Sequence, residues 1–376
     1  MEKVELKTTS IFEALKICLD ENHTFAIYRL PRKQEITLVL QKNHDLKILS
    51  DQDEIPGKRG FLIAPFVSNT VNRNYLIQPD YIFRNKLDEE EMHLIQSFSD
   101  TSLNGSDYLS PKETRKEDFI YQLQETIREI KKGEYDKIVL SRTKKIAGRF
   151  YGQLPKIFSL LCESYSNAFV YLFAIKGHCW VGATPEPLIC SREDELFTVS
   201  LAGTRPYSEE NMHLDNWNHK ERVEQEYVTD FIKNILSEHH ITNYNLQGPY
   251  TKKAGRLIHL RTDFSFPYHA TGNNLTNLIR ALHPTSAICG MPMEKSLRFI
   301  RKLEKHNREY YAGYLGPVGI DDEMQLFVNL RCMKVLKNEL ILYVGSGITS
   351  ESIPEDEWEE TEIKADTLLS IVQQIN

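Results

Sequence analysis

KERVEQEYVTDFIKNIL, residues 220–236, reads as one long amphipathic helix. Val223, Tyr227, Phe231 and Ile235 recur at helical spacing as its apolar stripe, and Glu221 and Glu224 fall off that stripe. The runs on either side, LFTVSL (196–201) and RLIHL (256–260), read as strands instead. Further strand candidates are Phe169 to Ile175, Gln325 to Leu330 and Leu340 to Val344. Single long helices set among hairpin-connected strands, without steady β-α-β alternation, predict an α+β fold with mainly antiparallel sheets.

Residues from Met1 to about Ile95 read as an N-terminal lobe, with strands at Thr24 to Leu30, Glu35 to Leu40 and Gly60 to Phe66. The polar, turn-rich stretch 97–112 reads as a surface loop. Beyond it, Phe119, Leu123, Ile127 and Ile130 mark a helix that Gly133 stops, and KIVLSRTKKIAG (137–148) follows as a strand. A last helix starts after Pro354 and is expected to bury Trp358, Ala365, Leu368, Val372 and Ile375.

With 376 residues and 41% hydrophobic content the chain can bury a sizeable core, and length alone allows about two domains. A net charge of -7, with no basic stripe, argues against nucleic acid as partner. No apolar run reaches membrane-spanning length and the N-terminus has no apolar leader, so a cytoplasmic protein is expected. The six cysteines have no CxxC spacing and read as reduced thiols.

Two Glu-x-x-Glu pairs, Glu221/Glu224 and Glu357/Glu360, each open a helix, and Lys364 shares a helical face with the second pair. Either pair alone reads first as a solvated helix face or a first-turn complement to the helix dipole. Four carboxylates gathered at one place would repel one another unless a divalent cation lay between them. Oxygen donors with no Cys or His companion favour Mg²⁺.

KIVLSR (137–142), GATPEPL (182–188), LAGTRP (201–206), KERVEQEYV (220–228), LHPTSAICGMP (282–292), YYAGYLGPVG (310–319), VNLR (328–331), GSGI (345–348) and PEDEWEETEIK (354–364) occur in this order. The series resembles the chorismate-utilising enzymes, which include isochorismate synthase, salicylate synthase and the large subunits of anthranilate and aminodeoxychorismate synthases. It covers roughly residues 115–375; residues 1–110 match least. The resemblance implies one domain, residues 1–376, of two packed, mainly antiparallel sheets flanked by helices, with residues 1–110 completing the sheets. That implication supersedes the two-lobe reading.

The resemblance also implies roles. Lys137 would be the base that activates water, and Glu186, between two prolines, the acid that protonates the departing C4 hydroxyl. Such an acid must stay protonated near neutral pH. Glu224 and Glu360 would ligate Mg²⁺, with Glu221 and Glu357 supporting them. Gly203, Thr204, His259, Ala287, Tyr311, Arg331, Gly345, Gly347 and Lys364 would contact chorismate. Arg331 and a nest of amides at Gly345 and Gly347 would take the enolpyruvyl carboxylate. Gln225 stands where relatives commonly carry His, a change expected to touch the surroundings of the metal; Ser286 replaces a common proline.

Ala202 replaces the lysine of aminodeoxychorismate synthases, and Lys137 is a residue that anthranilate synthases generally lack. Together they point to water as nucleophile and to isochorismate synthase, with salicylate synthase and an ammonia-using anthranilate-type subunit as alternatives. No glutaminase partner is then required, and a monomer or homodimer is expected. GSGITS (345–350) superficially matches a dinucleotide fingerprint but lacks its third glycine and any parallel unit around it.

Overall fold

The computed structural model describes residues 9–50, 53–98, 110–254 and 257–375. Most of the expected loop at 97–112, and Arg256 at the start of one predicted strand, lie outside the described residues.

The strand Phe169–Ile175 shows how the layers form, because all seven of its residues are buried. Phe169, Tyr171, Phe173 and Ile175 point into a core shared by the two sheets. Val170, Leu172 and Ala174 face a second core under helices. A strand covered on both faces loses its polar alternation, which is why FVYLFAI is apolar throughout. Phe169 stacks on Phe327 of the other sheet at 4.3 Å between ring centroids. Burying one such ring stabilises by about 1.5–3 kcal/mol.

Two nine-stranded sheets are found among the described residues, and their strands pair antiparallel. The first runs Gly290–Met291, Lys137–Ala147, Glu339–Ile348, Cys332–Leu336, His178–Thr184, Phe169–Ile175, Thr24–Arg29, Ile36–Gln41, Tyr81–Arg84. The second runs Asn245–Ala254, Leu257–Pro267, Glu195–Pro206, Pro187–Arg192, Glu323–Val328, Tyr314–Ile320, Gly60–Ala64, Asn74–Ile77, Lys47–Leu49. The α+β architecture with antiparallel sheets is therefore as expected. Strands from the first ninety residues continue both sheets.

The helix His219–Glu238 buries Gln225, Val228, Phe231, Ile232, Ile235 and Leu236. Its buried stripe is thus rotated from the expected one: Val223 and Tyr227 are only half-buried and a polar Gln225 goes inside. The C-terminal helix Pro354–Val372 buries Ala365, Leu368 and Val372 as expected, but also Glu357, while Trp358 and Ile375 stay half-buried. Trp358 is instead covered by the Arg142 guanidinium, 4.0 Å from its ring centroid. All six cysteines are free. No helix among the described residues is long and apolar enough to cross a membrane.

Candidate active site

The chain crosses from the first sheet to the second at Pro185-Glu186 and returns at Asn329-Leu330-Arg331. The two crossings are tied side by side. The Val328 amide donates to the Glu186 carbonyl at 2.9 Å, the Thr184 hydroxyl donates to the Val328 carbonyl at 2.6 Å, and the Ala183 amide donates to the Arg331 carbonyl at 3.0 Å. Arg331 is held at φ 48°, a left-handed conformation unfavourable for a side chain with a Cβ. Glu186 and Arg331 are thereby brought to one cavity.

That cavity is lined by Glu186, Gly203, Thr204, Glu224, His259, Ala287, Tyr311, Arg331, Gly345, Gly347 and Lys364, all of them picked out in the sequence. Apolar walls come from Val139, Leu201, Ile288 and Leu330, and Ala202 also lines it. Lys137 is not a lining residue. It lies behind Gly347, 1% exposed, with its ammonium 2.9 Å from Glu224 Oε1. Glu221 and Glu360 line a neighbouring acidic recess that shares Glu224 and Thr204 with the cavity. Glu357 is buried behind it.

Burial is the largest influence on Glu186 and pushes its carboxyl up to about 7, although Lys137, Arg331 and Lys364 pull the other way. Burial also pushes Glu224 up, but Lys137 outweighs it and holds that carboxyl below the usual range. Two carboxyl groups lining one cavity thus differ in protonation near neutral pH. Burial, followed by the charge of Arg331, lowers His259 to about 3, so its ring is neutral. Its Nδ1 lies 2.7 Å from the Gly203 carbonyl. This geometry makes Nδ1 the donor and leaves Nε2, buried without a partner, as an acceptor. A register shift between Ala202 and Arg205 places Gly203 and Thr204 on a bulge, with Gly203 at φ 66°.

Each of the four acids has its own cation. Lys137 pairs with Glu224, Arg205 with Glu221 at 2.6 Å, Lys220 with Glu357 at 2.6 Å and Lys364 with Glu360 at 2.5 Å. Four bare carboxylates in mutual repulsion therefore do not exist here, and that reason for a metal falls away. Among the described residues no three acid, His or Cys side chains converge closely enough to hold an ion directly. The donor set remains chemically suited to a hard cation: Glu224 and Glu360 open on the same recess and offer only oxygen.

Arg205 and Lys220 were not singled out in the sequence. Their signal was present all the same: Lys220 opens the motif that supplies Glu221 and Glu224, and Arg205 lies in LAGTRP. Glu221 is also committed locally: it completes a capping box with Asn218. Glu357 is not on a solvated helix face: it is buried and paired with Lys220. Gln225 likewise corrects an expectation. Its amide donates to the Ser200 hydroxyl at 2.8 Å and the Thr262 hydroxyl at 3.3 Å, beneath the helix, so the Gln-for-His change lies in the packing of helix on sheet.

Gly345 and Gly347 do not form a turn. They lie within the strand Glu339–Ile348, opposite Ser141 and Val139. The Gly345 carbonyl accepts from the Lys364 ammonium at 2.9 Å. A Cβ on Gly347 would stand 2.5 Å from Glu224 Oε1 and 2.8 Å from Lys137 Cε. The glycine makes room for that ion pair. Gly347→Ala is expected to lower turnover about 10²-fold through this displacement, with far-UV circular dichroism unchanged.

A model of the family described as chorismate binding enzyme matches residues 68–373. The chain belongs to that family. It is 29% identical over 242 residues to the vibriobactin-specific isochorismate synthase of Vibrio cholerae, covering 62% of this chain and 61% of the relative. It is 28% identical over 266 residues to an isochorismate synthase of Bacillus subtilis, covering 69% of this chain and 56% of that one. The matched segments thus span less than two thirds of these relatives. Among solved structures, a putative 2,3-dihydroxybenzoate-specific isochorismate synthase from Bacillus anthracis superposes with a TM-score of 0.75 at 23% identity, covering 96% of this chain and 99% of its own. Anthranilate synthase component I from Streptococcus pneumoniae superposes at 0.65 and 16%, covering 98% and 93%. At these identities the superpositions show the fold, and it is the one derived above.

Proposed function

We propose that this member of the family is an isochorismate synthase, an isomerase that adds water at C2 of chorismate while the C4 hydroxyl leaves. The observation that carries the reading is Glu186: a carboxyl buried in a cavity that also holds a guanidinium and an ammonium, yet protonated up to about neutral pH. It can hand its proton to the leaving hydroxyl. Lys137 is the assigned base for the attacking water, a role it fills only as the neutral amine, freed from its pair with Glu224. Arg331 and Tyr311 bind the enolpyruvyl carboxylate, and His259 Nε2 accepts from a substrate hydroxyl. Water leaves as water arrives, so the reaction is redox-neutral and reversible.

Glu224 and Glu360 would hold Mg²⁺, with Glu221 and Glu357 supporting them. When bound there, the ion supplies positive charge toward a substrate carboxylate and engages the carboxylate that otherwise faces Lys137. Water as nucleophile removes the need for a glutaminase partner. The reading also takes the enzyme to be cytoplasmic.

Incubation with chorismate and Mg²⁺, with and without EDTA, followed by chromatography of the products, tests this. Isochorismate that disappears with EDTA is the expected result. Salicylate plus pyruvate would assign the chain to salicylate synthase, and untouched chorismate would overturn both.

A further inference from the structure

We propose that the substrate cavity has a second, basic opening, and that the anionic substrate passes through it under the field of Lys252. The inference rests on the reading of the substrate as a dicarboxylate.

A second cavity adjoins the first and shares His259 and Arg331 with it. Lys252, Lys253 and Arg261 line it, and no Asp or Glu is among its lining residues. The acidic recess meets the substrate cavity at Glu224 and carries Glu221, Glu351, Asp356 and Glu360. The cavity therefore has one neighbour whose lining mixes acids with paired bases and one whose lining carries bases without acids. Glu224, Glu221 and Glu360 of the recess are matched by Lys137, Arg205 and Lys364, and Lys220 also lines it, whereas the wall of the second cavity presents basic groups that attract a carboxylate and lead it to Arg331.

The three basic residues are not equivalent. Arg261 is paired with Asp263 at 2.6 Å, and Lys253 lies 3.3 Å above the Tyr207 ring centroid. Among the described residues Lys252 has no acid within ion-pair distance. It is half-buried, and burial, then the charges of Arg32 and Arg261, lower its amine from the usual value. Its cross-strand partner is His259, whose ring forms part of the wall common to both cavities. Lys252 thus adds positive charge beside the cavity that binds the anion, Asp263, the acid that acts on it, being paired with Arg261. It is a positioning residue, removed from the reacting atoms.

The test is steady-state kinetics on chorismate with Mg²⁺ for the full chain, Lys252→Glu and Lys337→Glu, at about 20 mM and about 300 mM salt. Lys337, in the exposed turn at the far end of the hairpin that bears Gly345, makes the same net charge change away from either opening. For Lys252→Glu, kcat/KM is expected to fall about tenfold at low salt, recover to within about twofold at high salt, and leave kcat unchanged. Lys337→Glu should follow the wild type. A Lys252→Glu enzyme that equals the wild type at low salt, or one whose loss lies in kcat and ignores salt, would overturn the route while wild-type turnover still upholds the functional reading. A wild type that leaves chorismate untouched would overturn that reading, and the route with it.

Discussion

Replacing Glu186 by Gln is expected to lower kcat by about 10²–10⁴-fold, the span that a positioned general acid contributes. Gln fills nearly the same volume and cannot release a proton, so KM for chorismate should change little. With its carboxyl near 7 in the unliganded protein, wild-type kcat/KM should decline as pH rises through about 7, because the acid form disappears. The residual activity of the variant should lack that limb. A variant that keeps more than about a tenth of wild-type kcat would remove Glu186 from the mechanism. Stability follows the same group. Its folded value lies above the unfolded carboxyl value, so its contribution is present below about 4.5 and is lost as pH rises through about 7. The loss is on the order of 3 kcal/mol. Glu186→Gln should therefore be more stable relative to wild type at pH 8 than at pH 5, as read by urea unfolding.

Glu304→Ala is expected to cost about 3–5 kcal/mol of stability, also measurable by urea unfolding. Glu304 and Arg308 are each 3% exposed and paired at 2.6 Å. Glu304 accepts from the Ser141 amide at 2.7 Å and the Ser141 hydroxyl at 2.9 Å, while Arg308 donates to the carbonyls of Ile288 and Val139. Val139 and Ile288 are cavity wall, so this pair braces the strand that begins with Lys137. Ala at position 304 leaves a guanidinium buried with no counter-charge, and Glu304→Leu with Arg308→Met together should cost less than Glu304→Ala alone. Burial pushes Glu304 up, but Arg308 outweighs it and keeps the carboxyl below the usual range. Its contribution is present above the unfolded carboxyl value and is lost as pH falls through the folded one. Glu304 and Glu186 thus pull the pH profile of stability in opposite directions. A double variant no more stable than Glu304→Ala would refute the account of the buried pair.

Much of the fold was legible because strand and helix periodicities are local. FVYLFAI, KIVLSRTKKIAG and the stripe of Phe119, Leu123, Ile127 and Ile130 each became the expected element. The helix at 220–236 shows where this stops. Its existence followed from spacing, but Gln225 displaced Val223 from the buried face because Ser200 and Thr262, far along the chain, offer its amide partners. No window of sequence contains that exchange.

The site divides in the same way. Ordered motifs named nearly every residue that lines the cavity, since residue type and sequence position are properties of the chain itself. Partners and burial are not. Four acids that looked mutually repulsive each acquired a lysine or arginine. Two glycines expected to offer an amide nest became strand residues, one of them making room for an ion pair. A carboxyl between two prolines became dry only because one sheet crosses to the other above it. Charge state and pairing depend on which atoms approach through space and on how much water they exclude, and those are decided when the two sheets close on one another.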